Sequence, residues 1–149
     1  MTTVLQRVES ARAGTNPTVI CRMPSGWAAL CDMQHLRGYS ILLPDPVVSS
    51  INDLSQEQRA AYLCDMITIG DALLEVTDSF RINYALMSNS DPFLHAHIVP
   101  RYLSEPEEIR RGPPWSYPEE ILEANLFDYE RDKELIARLA QAIQKRLSA

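Results

Sequence analysis

The chain is short of positive charge, of cysteine and of long apolar runs. Lysine and arginine number 14 against 20 aspartates and glutamates, a formal charge of −6 over 149 residues. Such a balance gives no field to hold a long nucleic-acid backbone, because that binding rests on clustered cations. A small anionic ligand held by a few local donors is still compatible with it. The three cysteines, Cys21, Cys31 and Cys64, are odd in number and show no CxxC spacing. That argues against a disulfide framework and a thiolate zinc site, and fits a reducing compartment. No apolar run reaches the roughly 18 residues of a membrane span. The start, Met1 to Gly14, has neither the apolar stretch nor the small-residue cleavage site of a secretory signal, so the expectation is a cytoplasmic protein without a membrane partner. With 46% hydrophobic and 23% charged residues, the composition is ordinary for a globular protein, and one domain over residues 1–149 can bury roughly 70% of the unfolded surface.

Val4 to Ala13 reads as a short leading helix ending at Gly14. The runs Thr18–Met23 and Trp27–Cys31 flank the turn Pro24-Ser25-Gly26 and predict a hairpin, followed by a third strand over Tyr39–Leu43 that stops at Pro44. Ser55 and Gln58 form a capping box. Behind it Leu63, Ile67, Gly70 and Leu74 fall on one apolar stripe, predicting a helix over about residues 56 to 76. A strand from Phe80 to Met87 places Phe80, Ile82, Tyr84 and Leu86 on a face expected to meet the core, and a turn at Ser88–Pro92 leads into a strand Phe93–Val99 that ends before Pro100. From Ser104 to Pro118 the composition turns to Pro, Glu, Arg and Gly with no period, a surface excursion able to cover something beneath it. Tyr129 to Leu147 carries Ile136, Leu139, Ile143 and Leu147 at helical spacing and predicts a closing helix. Strands arriving as hairpins around one long helix predict an α+β fold with an antiparallel sheet of about five strands.

Two of the three histidines, His95 and His97, are separated by one alanine. On a strand they leave the same face about 6.6 to 6.8 Å apart at Cα, with Phe93, while Leu94, Ala96 and Ile98 anchor the opposite face in the core. Both imidazoles can then address one phosphate, one as a neutral nucleophile and the other, protonated, as a donor to phosphate oxygens or to the leaving group. The plainer reading is that the rings cover a sheet edge.

The stretch from Asn83 through His95-Ala96-His97-Ile98-Val99-Pro100-Arg101 to Tyr102 resembles the signature of the histidine triad (HIT) family of nucleotide hydrolases and transferases. Upstream, Leu30-Cys31-Asp32, Gln34, Leu36 and Gly38 through Pro44 are similar to the family's strand, acidic or amide residue, loop, glycine and strand. The resemblance covers roughly residues 18 to 102 and leaves 103–149 as a C-terminal extension. It implies that His95 is the nucleophile, that His97 contacts phosphate, and that Phe93 stands where the family has its first histidine, so that the tautomer control of that position comes from a backbone carbonyl or is absent. It implies that Asp32 accepts from the ribose hydroxyls, and that two copies pair their sheets as a homodimer.

The turn before the motif is shorter than in many relatives, leaving Ser88, Asn89 and Ser90 as phosphate donors or ordinary turn formers. Asn83 is placed to orient a histidine on the neighbouring strand or to sit in solvent. His35 with His95 and His97 offers a weak zinc set without a supporting carboxylate or cysteine, so no metal site is expected. Arg101 attracts anions at the site mouth or, more commonly, makes a surface ion pair. Trp27 and Trp115 read as core or cover. The implied activity is hydrolysis or transfer at the α-phosphorus of a nucleotide, a dinucleoside polyphosphate or a phosphoramidate, through a nucleotidyl-histidine. No cofactor is required, although a polyphosphate substrate can arrive with magnesium. The alternative is a nucleotide-binding protein with little turnover.

Overall fold

The computed structural model describes residues 2–149. Helix α1 (Val4–Ala13) starts at a reciprocal capping box between Thr3 and Gln6 and stops at Gly14, whose φ of 72° is the left-handed value that a glycine adopts without a steric cost. Strands β1 (Val19–Met23), β2 (Gly26–Leu30), β3 (Ser40–Pro44), β4 (Arg81–Ala85) and β5 (Ala96–Arg101) form one antiparallel sheet in the order β1-β2-β3-β5-β4. The long helix α2 (Gln56–Val76) lies between β3 and β4 in the chain. Two short helices, α3 (Glu107–Arg110) and α4 (Glu119–Ala124), precede the closing helix α5 (Tyr129–Leu147). The fold class and the strand number are those the pattern predicts.

One face of the sheet packs against α2 and α5. Leu30, Leu42, Ala96 and Ile98 from the strands meet Met66, Ile69 and Leu73 of α2 and Leu135, Leu139 and Ile143 of α5, all buried. Each such side chain taken fully from water stabilises the fold by about 1.5–3 kcal/mol. Tyr62 joins them and donates its hydroxyl to the Leu42 carbonyl at 2.7 Å, so its polar end is satisfied inside. The buried Asp65 accepts from the backbone N–H and hydroxyl of Ser25 at 2.8 and 2.5 Å, tying α2 to the first hairpin turn. The opposite face holds a second cluster in which Val4 and Val8 of α1 pack on Ala29, Tyr39, Ile41, Leu43 and Val99. His97 lies on this second face.

Several expectations change. The buried side of α2 is Tyr62, Met66, Ile69 and Leu73, while Leu63, Ile67 and Leu74 of the predicted stripe are 43%, 48% and 45% exposed; both stripes are apolar, and periodicity alone cannot choose between them. Phe80, Tyr84 and Leu86 are likewise exposed, and only Ile82 packs on the core; β4 is the edge strand, with a neighbour on one side only. Gly70 is required where the edge meets α2, since a Cβ there would stand 1.9 Å from the Tyr84 hydroxyl. The last strand opens at Ala96 and runs through Pro100 to Arg101 instead of spanning Phe93 to Val99, so Phe93 and His95 lie in the approach to it; its pairing with β3 has ended by Ile98, so the missing donor leaves no gap in that ladder.

Arg101, expected at the mouth or on the surface, is 2% exposed. Its guanidinium bonds Glu105 at 3.1 Å, the Asn83 side-chain oxygen at 2.9 Å, and the carbonyls of Gly112 and Ile109 at 2.7 and 3.2 Å. Glu105 also accepts from the Tyr102 N–H at 2.7 Å and the Tyr117 hydroxyl at 2.6 Å. One planar fork therefore folds the segment 102–117 back over the sheet. Asn83 serves this staple and not a histidine.

Candidate active site

Ala96, between the two histidines, is fully buried on the α2 side, which turns His95 and His97 together toward the second face. Their ring centroids are 4.9 Å apart at an interplanar angle of 68°. His97 is flanked by Ile41 of β3 and Ala85 of β4, near the middle of the sheet, and both imidazoles are half-buried.

The Nδ1 of His95 lies 2.8 Å from the Phe93 carbonyl oxygen. A carbonyl only accepts, so we assign the proton to Nδ1, and Nε2 of the neutral ring keeps its lone pair. Tautomer control thus comes from the backbone of residue 93. The Nδ1 of His97 lies 2.7 Å from the hydroxyl of Tyr39, which is 1% exposed. Burial pushes the Tyr39 phenol up, well beyond the physiological range. Burial, and then the like charge of His95, pull the His97 imidazole down to about 4. His97 is therefore neutral at pH 7, which corrects the expectation of a protonated partner.

The excursion after β5 covers the pair from one side, as its composition suggested. Trp115 stands edge-on to His97 with centroids 6.1 Å apart and is itself 37% exposed. His35 does not join the pair. Its Nε2 lies 2.8 Å from the Pro114 carbonyl, and its ring packs on Tyr117 at 5.0 Å and on Tyr39 at 6.0 Å, so it pins the cover in place. Burial lowers its pKa. Among the described residues no group of three His, Cys, Asp or Glu side chains is gathered for a metal ion.

Asp32 lies at the end of β2 with its side chain 53% exposed. Both of its oxygens are held by Arg7 of α1, at 3.1 and 2.6 Å. One turn earlier, at the start of the same helix, the Val4 N–H donates to Asp91 at 2.7 Å. Helix α1 therefore ties together the loops that carry Asp32 and the 88–92 turn. In that turn Ser88 has a φ of 49° and is half-buried, while Asn89 and Ser90 are exposed. Three concavities lie elsewhere; the roomiest, about 450 Å³, is lined by Arg37, Thr77, Tyr102 and Arg138. Neither His95 nor His97 lines any of these three.

Sequence reasoning did not single out Tyr39, Arg7 or Asp91. Tyr39 had a usable signal, since alternation with Ile41 and Leu43 puts it on one strand face; that this face is also that of His97 depends on the β3–β5 register. In chemical terms the site offers an imidazole with a free Nε2 lone pair beside a second, uncharged imidazole.

No protein-family model and no curated protein matches the chain. Solved structures do. A histidine triad protein from Marinobacter aquaeolei VT8 superposes with a TM-score of 0.71 at 21% identity, over 85% of this chain and 88% of that one. A histidine triad protein from Sinorhizobium meliloti 1021 gives 0.70 at 20% identity, over 83% and 87%. A Sulfolobus tokodaii strain7 protein described as a hypothetical histidine triad nucleotide-binding protein gives 0.70 at 11% identity, over 93% and 91%. With a five-stranded antiparallel sheet, a long helix against it and a histidine pair that straddles the start of its fifth strand, this chain has the fold of the histidine triad proteins.

Proposed function

We propose that the protein binds nucleotides and hydrolyses or transfers them at the α-phosphorus through a covalent intermediate on His95. The observation that carries this reading is the backbone carbonyl of Phe93 on His95 Nδ1, which leaves Nε2 as the nucleophilic atom beside His97. In the first displacement Nε2 bonds to phosphorus and the leaving group departs; in the second, water attacks and the P–N bond breaks. Asp32 receives the ribose hydroxyls while still paired with Arg7, and Ser88, Asn89 and Ser90 supply donors to phosphate oxygens. The fold shared with a protein described as nucleotide-binding supports this ligand class. No cofactor is needed for the two displacements; magnesium would come with a polyphosphate substrate and not reside on the protein.

The working unit we propose is a homodimer. Leu63, Ile67 and Leu74 of α2 and Phe80, Tyr84, Leu86 and Met87 around the β4 edge are all exposed, and an apolar face beside an unpaired strand edge is stable in water only when covered. A two-fold pairing would cover both at once. Among the described residues no helix is long and apolar enough to cross a membrane.

The deciding experiment is intact-protein mass spectrometry after brief mixing with diadenosine polyphosphates. One added nucleotidyl group, mapped to His95 and lost in His95→Ala, is expected. Tight binding with neither adduct nor product would reduce the protein to a nucleotide binder.

A further inference from the structure

We propose that Tyr39 is a positioning residue for this reaction: its buried hydroxyl fixes His97 with the proton on Nε2, so that His97 acts as an uncharged donor and the leaving group departs as an anion without a proton from the protein. The inference rests on the nucleotidyl-His95 reading and adds to it what the second imidazole does and which bonds it favours.

The geometry leaves little freedom. The Tyr39 hydroxyl sits 2.7 Å from His97 Nδ1 on a side chain that is 1% exposed. A phenol that burial keeps protonated donates to Nδ1, which places the ring's own proton on Nε2. Nothing facing His97 favours a second proton. From the start of β5 comes His95, itself a base and a like charge. From β3 comes Tyr39, with His35 and Cys31 behind it; burial lowers the imidazole of His35 and raises the thiol of Cys31 to about 11, so both stay neutral. From the covering segment comes Trp115, which does not titrate. The one arginine in the motif, Arg101, is committed to Glu105 and two carbonyls.

The step then balances without proton transfer. The Nε2 pair of His95 forms the N–P bond, the bond from phosphorus to the leaving oxygen breaks, and that oxygen keeps the electron pair and leaves as a phosphate or polyphosphate anion. His95 becomes an imidazolium whose Nδ1–H stays on the Phe93 carbonyl. His97 Nε2–H donates to a non-bridging oxygen throughout and keeps its proton. The nitrogen of a phosphoramidate, by contrast, must gain a proton to leave, and an uncharged His97 that keeps its one proton on a phosphate oxygen has none to give. Anhydrides are therefore favoured over phosphoramidates of the same nucleoside.

Nitrogen-15 NMR of the imidazoles at pH 7, with His97 assigned by comparison with His97→Ala, tests the tautomer directly. Protonated Nε2 and bare Nδ1 are expected in the wild type, with mixed tautomers in Tyr39→Phe. In turnover, an adenosine phosphoanhydride should exceed an adenosine phosphoramidate by about 100-fold or more in kcat, the scale of a missing general acid. Tyr39→Phe should lower kcat about tenfold with little change in KM, the scale of one hydrogen bond. A wild-type His97 protonated on Nδ1, or equal turnover of the two substrates, overturns the proposal. Both of these use the wild type and stand even if Tyr39→Phe does not fold. Absence of any adduct on His95 would sink the enzymatic reading instead, while the NMR result would still decide what Tyr39 does to His97.

Discussion

His95 donates through Nδ1 to the carbonyl of Phe93, 2.8 Å away and two residues earlier in its own chain. A backbone group performs this task, so the side chain at 93 is free to be apolar, and Phe93 uses that freedom to pack at the rim of the second core cluster. Phe93→His should therefore leave kcat within about tenfold of wild type, because the hydrogen bond that sets the tautomer does not change. A gain of several orders of magnitude in steady-state assays would show that position 93 acts through its side chain.

Removing the rings separates their roles. His95→Ala should abolish the nucleotidyl adduct outright, whereas His97→Ala should still form it at a rate reduced about 100-fold, as for loss of one positioned donor near the reacting group. Rapid-quench measurement of adduct formation distinguishes the two, and equal loss in both variants would contradict the assignment.

Trp115 stands edge-on to His97, 6.1 Å between centroids. With the indole against it, burial holds the His97 imidazole at about 4, below the roughly 6.5 of a free histidine. The unfolded chain therefore binds the proton more readily, and stability that is intact above about pH 6.5 declines as pH falls toward 4. Trp115→Ala should let water in, raise the His97 titration midpoint toward the ordinary value and flatten that part of the stability profile. Proton NMR titration of the ring reads the midpoint, and an unmoved value would mean that Trp115 does not shield it.

The staple at Arg101 carries the covering segment. Arg101→Ala leaves Glu105 buried without its partner, for which a cost of about 3–5 kcal/mol is expected in denaturant unfolding. Burial pushes the Glu105 carboxyl up, but the bonds from Arg101, Tyr117 and the Tyr102 N–H outweigh it and hold the group below the usual carboxylate range. Its contribution is therefore full above the unfolded pKa of about 4.3 and is lost as pH falls through the lower folded value. An Arg101→Ala protein with wild-type stability would mean that the cover is held by other contacts.

Ile67 is 48% exposed at the centre of the apolar stripe of α2. Ile67→Asp should convert a dimer to a monomer in analytical ultracentrifugation while leaving the far-UV circular dichroism unchanged. A monomeric wild type would remove the pairing proposal.

Much of this molecule is written in local pattern. The capping box at Ser55 and Gln58, the turn at Pro24-Ser25-Gly26 and the alternation around Ala96 depend on neighbours a few residues away, and the helices and strands stand close to where those signals place them. The pairing of His95 with His97 is partly of this kind: alternation about the buried Ala96 sends both rings to one side, although His95 stands just before the strand and is held by the Phe93 carbonyl. Which apolar stripe of α2 faces inward is not local. Tyr62-Met66-Ile69-Leu73 and Leu63-Ile67-Leu74 are both hydrophobic, and only the position of the sheet decides between them.

Sequence alone thus determined the order of the five strands and the three longer helices, the α+β class and the histidine pair, since each follows from spacing along one segment, whereas the short helices α3 and α4 carried no such spacing. Tertiary structure decided the electrical state of the site. It brought Tyr39 from 58 residues away onto His97, buried Arg101 against Glu105, and laid Trp115 over the ring. Proton affinity depends on burial and on groups distant in the chain, and no reading of a single segment contains those distances.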